Sequence, residues 1–260
     1  PGGSFTWVSA DTTRPGSWQE WAGKSRVIIN LAGRNIFQRW TRSRKEEIYR
    51  SRIETTRNLV DAVPPGSRTV LLSASAVGFY GDRGEEELTE RSPAGGGFLA
   101  RVCSDWEREA LAAREKGARV ALMRFAVVLG REGGALAKMV PVFRVGLGGP
   151  LGRGRHWFPW IHLDDLAAAA GRIIADPELS GPINFTAPEA IRQGDFARRL
   201  GATLHRPAIL PVPPVLLRLV LGELGRSLLE SQRVRPARLE QAGFPFAHPR
   251  LAAALENILG

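Results

Sequence analysis

The sequence predicts an α/β protein, a doubly wound parallel sheet flanked by helices with a small, mainly helical lobe at its C-terminal end. Three observations carry this expectation. Short apolar runs alternate with longer amphipathic ones, the pattern of strands joined by crossover helices. Two of the short runs, Val27–Gly33 and Thr69–Gly81, are apolar at successive positions and then break into small residues. Such runs suit strands buried on both faces, as in parallel sheets. After Pro213 only helical and turn patterns are read.

Composition narrows the partners. The chain has 260 residues, 43% hydrophobic and 24% charged, ordinary values for a globular protein with a sizeable core. It shows no apolar span of about 20 residues and no leader, so no membrane partner is expected. Cys103 is the only cysteine, which rules out an intrachain disulfide and fits a reducing, cytoplasmic setting. The charge of +10 comes from 36 basic against 26 acidic residues, scattered along the chain and mostly arginine. There is no lysine-rich tail and no aromatic-basic module, so nucleic acid is not expected, while an anionic substrate or cofactor would use part of that charge. No His/Cys/Asp/Glu cluster has metal-ligand spacing, and no metal is expected.

Taken in order, 4–8 reads as a short strand, and Ser17 with Glu20 as a capping box opening a short helix. Val27–Gly33 is the next strand. The segment 40–62 is the longest helical candidate, with a second capping box at Ser43 and Glu46 and an apolar side of Ile48, Ile53, Leu59 and Val63. Pro64-Pro65-Gly66 stops it. The Thr69–Gly81 strand and turn follow, then an acidic loop, a helix over 98–116 closed by Gly117, and a strand over 119–129. A helix is expected at 133–144 and a short strand at 160–163, with Asp164 capping a helix to about Ala175. Strands at 182–187 and 208–212 should flank a helix at 193–204.

The polar residues of Ser73-Ala74-Ser75 stand where a strand should end, and ligands of open parallel sheets bind beyond the carboxyl ends of strands. Several stretches together resemble the extended short-chain dehydrogenase/reductases, specifically their atypical, nucleotide-sugar-epimerase-like branch with a small C-terminal domain of unknown function. The stretches are Ile29–Gly33, Ser51–Thr56, Ser73–Gly81, Phe143–Pro150, Trp160-Ile161-His162 and Ala242-Gly243-Phe244. The resemblance covers essentially the whole chain and implies a Rossmann-like fold. Such proteins open with a strand, a glycine-rich turn and a helix that holds the cofactor pyrophosphate. No glycine cluster here follows a first strand, and the chain opens Pro1-Gly2-Gly3 without methionine. About 40 residues, the size of one βαβ unit, are therefore expected to be missing before Pro1.

The resemblance implies roles for single residues. Leu31, Ala32, Arg52, Ser73 and Val128 fall at cofactor-contacting positions, with Glu47 contacting ribose or orienting Arg52. NADP(H) is the preferred cofactor and NAD(H) the other candidate. Ser75 matches the family's catalytic serine, and Tyr80 is a candidate proton donor. A turn cap and a packed aromatic are the plainer readings of those two. The superfamily's Tyr-x-x-x-Lys pair, a general acid/base for hydride transfer, is absent: Leu99 and Cys103 occupy its positions. Arg153 and Arg155 lie where epimerases bind substrate phosphates, and solvent exposure is the alternative. His162 reads as structural, beside a helix cap. The expected layout is a dinucleotide-binding domain over 1–150, to which parts of 151–210 return, and a substrate-side region over 151–260 whose helical domain begins near 211. The expected function is an epimerase or oxidoreductase acting on a phosphate-bearing small molecule. The alternative is a catalytically weak, NADP(H)-binding regulator.

Overall fold

A computed structural model describes residues 5–260. Its strands are β1 (Val27–Asn30), β2 (Val70–Ala76), β3 (Glu87–Leu88), β4 (Arg119–Phe125), β5 (Val127–Leu129), β6 (Trp160–His162), β7 (Gly181–Phe185) and β8 (Arg233–Val234). The helices are α1 (Trp18–Lys24), α2 (Arg42–Ala62), α3 (Phe98–Leu111), α4 (Gly134–Arg144), α5 (Leu163–Ala175) and α6 (Gln193–Thr203). Four more close the chain: α7 (Pro214–Leu221), α8 (Glu223–Ser227), α9 (Ala237–Gln241) and α10 (Leu251–Leu259). The main sheet is parallel throughout, in the order β1-β2-β4-β7.

Alternation along β2 and β4 divides the core into two layers, because successive side chains of a strand leave on opposite faces. Leu71, Val120 and Leu122 pack against Leu59, Val60 and Ala110 of α2 and α3. Leu72, Ala121 and Met123 pack on the other face against Ala169, Ile173 and Leu239 of α5 and α9. A third cluster joins Leu129, Phe143, Trp160 and Phe196 to Leu251 and Leu255, so α10 returns to pack beside α6.

The two edges of the sheet differ. At β7 the outward amide of Asn184 donates to the buried carboxylate of Glu90 at 3.1 Å, which closes that edge. At β1, Val27 and Ile29 lie exposed.

Several local expectations are corrected. Residues 5–8 form no strand, and Phe5 and Trp7 lie exposed. Ser17 makes no side-chain cap; Gln19 reaches back to the Gly16 amide instead. The long helix starts at Arg42, capped by the Thr41 hydroxyl, so Ser43 and Glu46 lie inside it. The expected 119–129 strand breaks at Ala126: its amide still bonds Phe185 of the main sheet, while Val127 turns to Pro159 and β5 pairs with β6. Residues 208–212 form no strand and keep only one bridge, Val212 to Leu151. Beyond Pro213 there is one strand after all, since β8 pairs with β3. Two-residue strands like these leave no periodic trace in a sequence.

Candidate functional site

The carboxyl ends of β1 and β2, with the N-terminal halves of α2 and α3, gather most of the residues singled out above. Beyond β1 the chain runs out as Leu31-Ala32-Gly33, with Leu31 exposed and the Ala32 amide donating to the Asn30 side chain at 3.2 Å. The Arg34 amide is tied to Ser51 of α2 at 3.0 Å. Gly33 matters here because a Cβ at that position would lie 2.9 Å from the Arg52 guanidinium carbon. Arg52 donates only to the carbonyls of Arg34 and Ile48, each at 3.1 Å, and lies 5.2 Å from the Trp106 ring. It has no carboxylate partner among the described residues. Burial pulls its pKa below the usual arginine value, as expected for a cation held without a counter-charge.

Beside it lies a buried polar network that the sequence reading did not assemble. Ser75 on β2 stands opposite Arg124 on β4, and Arg124 opposite Asn184 on β7. The Ser75 hydroxyl donates to Glu107 of α3 at 2.7 Å. Arg124 grips the same carboxylate through Nε and Nη2, both at 2.8 Å, with the two side chains only 4% and 7% exposed. Its Nη1 donates to the Tyr80 hydroxyl at 2.9 Å, and Tyr80 in turn donates to Asn184 Oδ1 at 2.7 Å. The Phe79 ring covers the guanidinium at 3.5 Å. Burial lowers and Glu107 raises the Arg124 pKa, with a net rise, so the guanidinium stays charged. Burial pushes the Tyr80 phenol above its ordinary value, against the pull of Arg124. Arg124 was the detectable signal, a charge within a strand that is otherwise core, whereas Glu107 stands among the charged residues Asp105, Arg108 and Glu109 and does not stand out.

The remaining candidates are spread more widely. Ser73 is buried with its hydroxyl unpartnered. Val128 sits on β5, beyond the break at Ala126. Glu47 does not orient Arg52: it pairs with Arg44 at 2.8 Å and lines a cavity of about 350 Å³ with Arg34 and Ser51. Arg153 and Arg155 are exposed on the loop before β6. Leu99 lies against Gly78, and Cys103 is buried, its thiol pushed up to about 11 by burial and then by Glu107.

His162, Asp164 and His248 come together, which sequence spacing did not reveal. His162, not Asp164, caps α5, its Nδ1 accepting the Asp164 amide at 3.0 Å. Its ring stacks on His248 at 3.8 Å and 29°. His162 Nδ1 and His248 Nε2 each lie 3.7 Å from the same Asp164 carboxylate oxygen, and with Nδ1 already accepting the Asp164 amide His162 serves as the helix cap.

Comparison with known proteins fits this geometry. The profile of the NAD dependent epimerase/dehydratase family matches residues 2–185, and that of a domain of unknown function, DUF1731, matches residues 212–258. A chloroplastic homolog of the epimerase family protein SDR39U1 from Arabidopsis thaliana is 44% identical over 93% of this chain and 71% of its own length. The crystal structure of human SDR39U1, isoform 2, with NADPH superposes with a TM-score of 0.86 at 34% identity, covering 94% of this chain and 88% of that one. UDP-glucose 4-epimerase of Thermus thermophilus, in complex with NAD, shares the fold alone, with a TM-score of 0.71 and 18% identity over 92% of this chain and 79% of its own. With a parallel sheet, a family match over most of its length and a close relative of similar size, this chain belongs to the NAD-dependent epimerase/dehydratase family, of the extended short-chain dehydrogenase/reductase type.

Proposed function

We propose that this protein binds NADP(H) at the carboxyl ends of β1, β2 and β5 and slowly turns over a phosphate-bearing, nucleotide-sugar-type substrate. The observation that carries the reading is Arg52, a desolvated guanidinium with carbonyl partners only, standing beside a strand exit of small residues. A planar fork with free donors suits a phosphate or ribose hydroxyl. The unpartnered Ser73 hydroxyl is a second group awaiting a partner. On this reading Leu31, Ala32 and Val128 offer backbone and small-residue contacts, Glu47 a flanking carboxylate, and Arg153 and Arg155 a phosphate contact for the substrate. The dinucleotide-binding part spans 1–150, and the 151–260 region carries the substrate side. Bound nicotinamide would supply hydride chemistry. The NADPH in the human relative supports the choice of NADP(H) over NAD(H).

For proton transfer the chain offers Ser75 and Tyr80. Ser75 would polarise the reacting oxygen, and Tyr80 or a water would relay the proton. Both hydroxyls are already engaged, and Tyr80 is shifted away from acidity. Loss of a positioned acid/base costs about 10²–10⁴-fold in rate, hence slow turnover. The same engagement favours a second reading, a cofactor-binding regulator without turnover.

Calorimetry with NADPH and NADH tests the binding. Arg52→Gln should weaken NADPH binding about 10–100-fold, the value of a charge-assisted hydrogen bond. Unchanged affinity removes Arg52 from the site. Nicotinamide absorbance against sugar-nucleotide substrates, with Ser75→Ala as control, separates turnover from binding alone.

A further inference from the structure

We propose that the outer face of α7, together with the strap leading into it, docks on an anionic lipid surface. The helix Pro214-Val215-Leu216-Leu217-Arg218-Leu219-Val220-Leu221 is apolar on both sides. Its inner side is accounted for: Leu217 is buried, and Leu221 packs against the cluster of Trp40, Ile48 and Leu224. Its outer side is not. Val215, Leu216, Leu219 and Val220 fall on a stripe about 140° wide at helical spacing. They are 73%, 48%, 70% and 58% exposed.

The patch continues beyond the helix. The strap is bonded to the α4 loop from Leu210 to Gly148 at 3.4 Å and from Val212 to Pro150 at 2.8 Å. The strap, with Ile209 and Leu210 exposed, thus runs along the α4 loop, where Val145 and Leu147 are exposed. Exposed apolar residues grouped on neighbouring segments in this way mark a candidate interaction site.

Charge identifies the occupant. Arg144 ends α4 within the patch, and Arg206 is fastened to its carbonyl at 2.9 Å. Arg218 lies on α7 itself. None of these three arginines joins an ion pair among the described residues. The nearby acid on α8, Glu223, is taken by Lys45 at 2.8 Å. An apolar centre with an unneutralised positive rim complements anionic headgroups over an acyl boundary. A second copy docked face to face would set these arginines against one another. The stripe is aliphatic, without the Tyr and Trp that anchor protein interfaces. No helix among the described residues is long and apolar enough to cross a membrane, so α7 lies on the surface.

The test is co-sedimentation of the 260-residue chain with vesicles of phosphatidylcholine alone and with phosphatidylglycerol added. Binding is expected only with the anionic lipid, falling as salt is raised. Leu216→Glu with Leu219→Glu should lower it about tenfold or more, with the thermal midpoint unchanged because both side chains are exposed. Arg218→Gln should lower it about fivefold. Absence of binding to anionic vesicles, or equal binding by the doubly substituted chain, overturns the proposal. So does a dimer in sedimentation velocity that Leu219→Glu dissolves, which would assign the face to a second copy. Capture by an acidic polypeptide such as polyglutamate without vesicle binding overturns it as well.

Discussion

Replacing Arg124 with Met removes a charge from the centre of the protein while keeping the bulk of its side chain. The substitution deletes both hydrogen bonds to Glu107, the one to Tyr80 and the contact with Phe79. What remains is a carboxylate out of reach of water, with the Ser75 hydroxyl as its sole partner in the network. A buried ion pair broken from one side costs about 3–5 kcal/mol, most of it the stranded charge and not the lost attraction. For a chain of this size that corresponds to a fall of about 10 °C in thermal midpoint. Urea unfolding followed by tryptophan fluorescence measures it. The double variant Arg124→Met with Glu107→Leu strands no charge and should recover much of the loss. If Arg124→Met costs under about 1 kcal/mol, or the double variant is no better than the single one, the pair is not the keystone inferred from its geometry.

Cys103 should resist alkylation in the native state at pH 8 and react on unfolding, since its thiol is buried and its pKa raised to about 11. The unfolded chain ionises first, so stability is intact below pH 9.0 and declines between there and about 11. The slope is about 1.4 kcal/mol per pH unit, and Cys103→Ala should flatten it. Burial, then His248, hold the His162 pKa below 6.5, so the native state favours the neutral ring, stability is present above pH 6.5 and is lost as pH falls. His162→Asn keeps a cap acceptor and should show a shallower acid decline in a pH series of melts. A Cβ at Gly95 would overlap the Tyr80 carbonyl oxygen, and Gly95→Ala should cost about 1–3 kcal/mol by parting two backbone segments, read out in the same melts.

The strands of the main sheet were legible because they are buried on both faces and run apolar without interruption, as at Val70-Leu71-Leu72 and Val120–Met123. The long helices were legible from their amphipathic stripes. Their caps were less so: Ser17 and Ser43 have the right spacing to a glutamate, yet α1 carries no side-chain cap and Thr41 caps the long helix. Any of several neighbouring oxygens can satisfy the same amides, so the choice is made by tertiary contacts. Family resemblance brought forward Arg52, Ser73, Ser75 and Tyr80, and the structure sets most of them together. It could not say where their hydrogen bonds go. Glu107, Arg124 and Asn184 are 17 to 104 residues from their partners in the chain, and pairings at that separation leave no local pattern. The outer face of α7 was overlooked for a related reason, since an apolar helix reads as core until its neighbours are known.

The chain of bonds through Ser75, Glu107, Arg124, Tyr80 and Asn184 does not stop at the sheet. Asn184 holds the carbonyl of Arg235 at 2.9 Å, and Glu90, bound to the Asn184 amide, also takes the amide of Arg238 at 3.2 Å. It is therefore a cross-brace, running from α3 through β2, β4 and β7 to the start of α9. Mechanically, the C-terminal region is bolted to the sheet at that end and cannot rock as a rigid body about it. Compliance is left to the strap before α7, which touches the α4 loop through a few backbone bonds. Amides along the brace should be among the slowest to exchange with deuterium, and those of 206–222 among the fastest.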